Sequence, residues 1–157
     1  MNDILSLEIG LLHGLVNLTL SNLDVVGPLP LELASLPSFR FLNFSGEFPD
    51  VDPDGFLALE FIDAYNNNLT GPLPLGLAAA PRLWYLNLYN NFFYGEIPES
   101  YSEIKNLEYL GLNSNSLTGR VPASLSHLSK IKEMYIGYFN TFFGGVPPEF
   151  VRLPSLV

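Results

Sequence analysis

Leu59, Leu83, Leu107 and Ile131 stand 24 residues apart. Beneath each the same phrase recurs: LEFIDAYNNNLTGPLP, LWYLNLYNNFFYGEIP, LEYLGLNSNSLTGRVP and IKEMYIGYFNTFFGGVP. A fixed period of this length constrains the fold more than any composition does. One such unit cannot bury its apolar side alone, so the units must stack against one another. Two more units begin at Leu15 and Phe39, and Leu156 opens another, one residue late. The sequence thus predicts a single domain over 1–157 with repeats starting near 15, 39, 59, 83, 107 and 131. Residues 1–14 form an N-terminal partial repeat or cap. The unit at 39–58 is shortened and lacks its asparagine turn.

Within a unit the spacing L-x-x-L-x-L-x-x-N-x-L is the leucine-rich repeat signature. Alternate side chains of a strand point to opposite faces, so Leu86 and Leu88 point inward while Asn87 faces out. Asn67, Asn91 and Asn115 then turn the chain, their amides positioned to satisfy backbone groups that sheet pairing does not reach. Gly-x-φ-Pro, with φ apolar, follows at Gly27, Gly46, Gly71, Gly95, Gly119 and Gly144. The glycine permits the bend, and the proline ends further pairing. ESYSEIKN and ASLSHLSK supply a short helical turn. The predicted class is an α/β leucine-rich repeat solenoid, with short parallel strands on a concave face and 3-10 or short helical turns on a convex one.

Composition narrows the function. Of 157 residues, 48% are apolar and 15% charged, which suits a packed domain. The net charge of −9 argues against nucleic acid or an anionic membrane as partner. Without cysteine there is no disulfide framework, zinc site or thiol catalysis. His13 and His127 stand alone in different repeats, the carboxylates form no acid–base pair, and no nucleophile elbow or phosphate loop is present. The sequence therefore predicts no enzyme, no catalytic residues and no cofactor. The longest uncharged run, 64–81, is broken by prolines and glycines and is no membrane span. MNDILSLEIGLL carries Asp3 and Glu8 and no basic residue, so it does not read as a secretory signal.

Asp50, Asp52 and Asp54, followed by Gly55, imitate the opening of a calcium loop. Counting from Asp50, however, the twelfth position is Phe61 where a bidentate carboxylate is needed, and Pro53 interrupts the loop. The aspartates read as a solvated connection in the shortened repeat, and no metal site is expected; calcium binding through Asp50–Asp54 is the weakest alternative.

The outward strand positions form the candidate binding surface. They are Asp63 and Tyr65; Trp84, Tyr85, Asn87 and Tyr89; Glu108, Tyr109 and Asn113; and Glu133, Tyr135 and Tyr138. Stacked, they make an aromatic ladder edged with carboxylates, suited to a peptide carrying basic or hydroxyl groups. The competing reading has Phe61, Tyr85 and Tyr109 leaning along the sheet to cover neighbouring leucines. No second surface of comparable size is evident. Asn17, Asn43 and Asn68 open glycosylation sequons, relevant if the chain is secreted.

YNNNLTGPLP, GEIPESYSEIKNLEYLGLN and EMYIGYFNTFFGGVPPEF resemble the ectodomains of CLAVATA-type leucine-rich repeat receptor-like kinases of plants. The resemblance implies a twisted solenoid that binds short secreted peptides of the CLE class on its inner face, recruits co-receptors, and works at the plasma membrane or outside the cell. Against that family the sequence lacks a signal peptide, a cysteine-paired cap, a membrane span and a kinase, and it has about six repeats where the family has some twenty. Expected from this are weak affinity for a CLE-type peptide and self-association through uncapped ends. A secreted defence-type inhibitor of a pathogen enzyme, or a kinase-less interfering receptor relative, remains the alternative, and the compartment stays open.

Overall fold

The structure is a computed structural model that describes residues 6–20, 30–44 and 56–153. Its strands are β1 (Asn17–Leu20), β2 (Phe41–Phe44), β3 (Phe61–Asp63), β4 (Thr70–Pro72) and β5 (Tyr85–Asn87). They continue with β6 (Phe92–Gly95), β7 (Tyr109–Gly111), β8 (Ser116–Gly119), β9 (Glu133–Tyr135) and β10 (Thr141–Phe142). One sheet has the order β1-β2-β3-β5-β7-β9, every pair parallel. Leu42, Ile62, Leu86 and Leu110 lie in register on its inner side, fully buried. A slip of one residue would turn this whole set outward, which is why the alternation fixes the register.

A second sheet, β10-β8-β6-β4, is also parallel and was not anticipated from the sequence. It forms just before each Gly-x-φ-Pro, with Phe93 and Leu117 buried and Phe92, Tyr94, Ser116 and Thr118 exposed. Its strands are two to four residues long, and β6 and β8 end at the glycine that turns the chain. Gly71, Gly95, Gly119 and Gly144 have φ from 82° to 103°, a region costly for any residue with a Cβ.

The opposite side is built from one-turn 3-10 helices. Leu31–Ser35, Leu75–Ala79, Glu99–Glu103, Ala123–His127 and Pro148–Arg152 each follow a proline with φ between −57° and −65°. Proline presets that angle for helix entry and lacks an N–H, which would find no partner there. The turns then close with i to i−3 bonds, as from Ile104 N to Tyr101 O at 3.2 Å.

Leucines from each unit fill the space between sheets and turns, and Leu83, Leu86, Leu88, Leu107, Leu110 and Leu112 are fully buried. Removing one such side chain to alanine costs about 2–5 kcal/mol. Tyr101 is buried as completely as its counterparts Leu77 and Leu125. Its hydroxyl donates to the Pro74 carbonyl at 3.2 Å, and burial pushes the phenol far above its ordinary titration range.

The turn asparagines satisfy the backbone as the spacing predicts. Asn91 Nδ2 donates to the carbonyls of Leu88 in its own repeat and Ala64 in the preceding one, while its Oδ1 accepts from Leu69 N. Asn115 repeats the pattern with Leu112, Leu88 and Phe93 N. Asn140, hidden from the 24-residue spacing because its repeat is one residue longer, does the same with Ile136, Leu112 and Leu117 N. The extra residue of that repeat is absorbed just before Asn140, where Tyr138 and Phe139 both take positive φ, 50° and 59°. The aspartate run Asp50–Asp54 lies outside the described residues, and among those described no group of three or more carboxylates or imidazoles could hold a metal.

Candidate functional site

The outward side of the long sheet carries three rows of side chains. The first runs Arg40, Glu60, Trp84, Glu108, Lys132 just ahead of the strands. It is tied by backbone bonds from Glu60 N to Arg40 O, Trp84 N to Glu60 O, Glu108 N to Trp84 O and Lys132 N to Glu108 O, all 2.8–3.0 Å. The second runs Asn17, Phe41, Phe61, Tyr85, Tyr109, Glu133, and the third Asn43, Asp63, Asn87, Gly111, Tyr135. The repeat period thus brings together residues two dozen positions apart in sequence.

Rings in the second row stack on one another. Phe61 and Tyr85 lie 4.3 Å apart at 9°, and Tyr85 and Tyr109 4.4 Å apart at 14°. Tyr85 has both faces taken by this stacking, Phe61 and Tyr109 one face each, and each ring is half-buried. The rings therefore lean along the sheet, covering one another. Trp84 meets Phe61 at 5.7 Å and Tyr85 at 5.6 Å with steep interplanar angles, and it remains 38% exposed. Tyr65, Tyr89 and Tyr135 are exposed, and Tyr138 is 80% exposed at the rim.

The polar members of the predicted site divide. Asp63 is half-buried; desolvation raises its carboxyl above the usual range, opposed by bonds accepted from Tyr65 N and Asn87 Nδ2. Asn87 is itself only 8% exposed, and its amide is engaged by Asp63 and Tyr89 N, so it braces the surface from within. Asn113 is half-buried. Glu108 is bridged by Lys132 at 2.6 Å, and Glu133 accepts from the Tyr135 hydroxyl at 2.9 Å. Burial pushes the Tyr109 phenol up to about 12, with the neighbouring Tyr85 and Glu133 adding to it. The sequon residues Asn17 and Asn68 are exposed, and Asn43 is half-buried in β2.

A second concave feature lies where the short sheet meets the 3-10 turns. A groove of about 560 Å³ is lined by Pro72, Leu73, Pro74, Phe93 and Ile97. It adjoins one of about 480 Å³ lined by Val121, Pro122, Phe143 and Pro147, and the two share Glu96 and Glu99. Every lining position belongs to the Gly-x-φ-Pro phrase or its neighbours, but nothing in the spacing alone marks a groove.

This geometry defines a leucine-rich repeat solenoid. The sequence model of the family described as Leucine Rich Repeat matches residues 82–104 and 106–128. Among solved structures, the plant peptide hormone receptor RGFR1 in complex with RGF2 superposes with a TM-score of 0.84 and 27% identity, over 98% of this chain and 25% of that one. The Arabidopsis receptor kinase HAESA, in complex with the peptide hormone IDA and the co-receptor SERK1, gives 0.79 and 31% over 91% and 25%. A leucine-rich repeat protein of Leptospira interrogans gives 0.78 and 28% over 98% and 38%. The chain spans about a quarter of the length of the plant receptors it matches. No helix among the described residues is long and apolar enough to cross a membrane.

Proposed function

We propose that this chain is a non-catalytic peptide-binding module that takes a short secreted peptide, of the CLE type implied by the sequence resemblance, or a receptor partner along the outward side of its long sheet. One observation carries the proposal: a row of stacked rings supports Trp84, flanked by exposed Tyr65, Tyr89 and Tyr135 and by carboxylates, on a rigid parallel sheet. Aromatic side chains held this way offer large contact area at little entropy cost. Likeness to receptors solved in complex with peptide hormones supports the same class of ligand.

A titration screen against a peptide array tests it. Trp84→Ala or Tyr89→Ala is expected to cost about 1–3 kcal/mol of binding, as central aromatic anchors do. Lys105 and Lys130, on the far side and bonded to Ser102 O and Asn106, should tolerate alanine without effect. Loss of binding with the lysine variants and none with Trp84→Ala would move the partner to the turn side.

A further inference from the structure

The row containing Trp84 has an order of charge that its neighbours lack. From β2 to β9 it reads cation, carboxylate, indole, carboxylate, cation: Arg40, Glu60, Trp84, Glu108, Lys132. Arg40 Nη1 bonds Glu60 Oε1 at 2.5 Å, and Lys132 Nζ bonds Glu108 Oε2 at 2.6 Å. Each carboxylate is therefore bridged on its side away from the indole. Among the described residues the other oxygen, Oε2 of Glu60 and Oε1 of Glu108, accepts no hydrogen bond.

Resting on the strand-face reading above, we infer that Trp84, Glu60 and Glu108 form a cation-selective subsite that receives a guanidinium or ammonium group of the ligand. Along the backbone, Glu60 and Glu108 stand one strand to either side of Trp84, and Arg40 and Lys132 one strand further out. Coulomb energy falls with distance, so a carboxylate with its cation on the far side presents its negative end towards the indole. Phe61 and Tyr85 hold the indole in tilted and edge contacts and leave it 38% exposed, and an indole is the ring that attracts a cation best. An arginine fits better than a lysine, because its planar fork can lie on the ring and reach a carboxylate oxygen in the same pose.

Trp84 is the only tryptophan in the chain, so its emission reports the subsite directly. The probes are Ac-Ala-Arg-Ala-amide and its isosteric citrulline counterpart, titrated into the full chain at constant ionic strength. The expected result is a saturable change in emission with the arginine peptide, at least tenfold tighter than with citrulline. Glu60→Gln combined with Glu108→Gln should abolish the preference with an unchanged circular dichroism spectrum. Arg40→Gln, which removes a competing cation and leaves the backbone bonds at that position in place, should tighten arginine binding. Equal affinity for both peptides, or a preference that survives the double variant, overturns the subsite. If neutral peptides from the array change Trp84 emission while the charge preference is absent, the subsite fails and the strand-face reading stands. If no peptide changes that emission and Trp84→Ala leaves binding intact, both fail.

Discussion

Tyr109 folds across Gly111, so closely that a Cβ on the glycine would lie 3.0 Å from the tyrosine Cε1 and 2.7 Å from Asn87 Oδ1. The glycine's φ is an ordinary one, so its value here is room and not backbone freedom. Without that room Tyr109 cannot lie flat on Tyr85, and the stacked row ends one ring early.

Gly111→Ala tests this. Displacing two packed side chains should cost about 1–3 kcal/mol of stability, as overpacking does. Ligand affinity should fall as well, because the platform beneath Trp84 loosens. Thermal melting with a parallel peptide titration reads both; a variant that melts like the parent and binds like it would show that the stack has no role.

The buried asparagines should be among the least replaceable polar residues. Asn115→Ala leaves Phe93 N without its partner inside the core, which costs about 1–3 kcal/mol, while the Leu88 carbonyl keeps only its bond from Asn91. Asn67→Ala, at a half-buried position, should cost less. Urea denaturation of the two variants checks the order.

Alkaline stability follows from Tyr109. Burial pushes its folded phenol up to about 12, above the ordinary tyrosine range, so the unfolded chain ionises first as pH rises. The contribution is complete below pH 10 and is lost between about 10 and 12. Tyr109→Phe should flatten that part of an alkaline unfolding curve.

Asp63 has the same sign at acid pH. Its folded carboxyl is raised by desolvation, so the ionised form is disfavoured by folding and stability declines as pH climbs through its titration. Asp63→Asn keeps an acceptor for Tyr65 N and removes the buried charge. It should leave stability at neutral pH equal or higher while weakening a cationic ligand, more at low salt than at high salt. Melting curves at pH 4 and 7, paired with titrations at two salt concentrations, separate the two effects.

The solenoid was legible because apolar residues recur at one period and each marks a buried position; Leu59, Leu83, Leu107 and Ile131 are all fully buried. The second sheet was not, because three residues such as Thr70, Gly71 and Pro72 are too few to show an alternation and end in residues that normally break strands. The period also gives which side chains share a row without giving their tilt. Asn87 occupies an outward position, yet the side chains around it close over it, and Tyr85 spends its face on Tyr109 rather than on solvent. Ion pairing along a row, as in Glu60 with Arg40, depends on rotamers that the spacing leaves free.

The asparagine column acts as a reading frame for chain length. Because each amide bonds two repeats at once, a residue gained or lost between an asparagine and the following glycine would break bonds in both. The rim just before it is different. There Tyr138 and Phe139 take up a whole additional residue by adopting the left-handed conformation, while Asn140 still reaches Leu112 and Leu117. Insertions that drift into such a gene should survive at the rim and be purged elsewhere, so variation in repeat length will accumulate beside the proposed binding face, where it changes what protrudes without unthreading the stack.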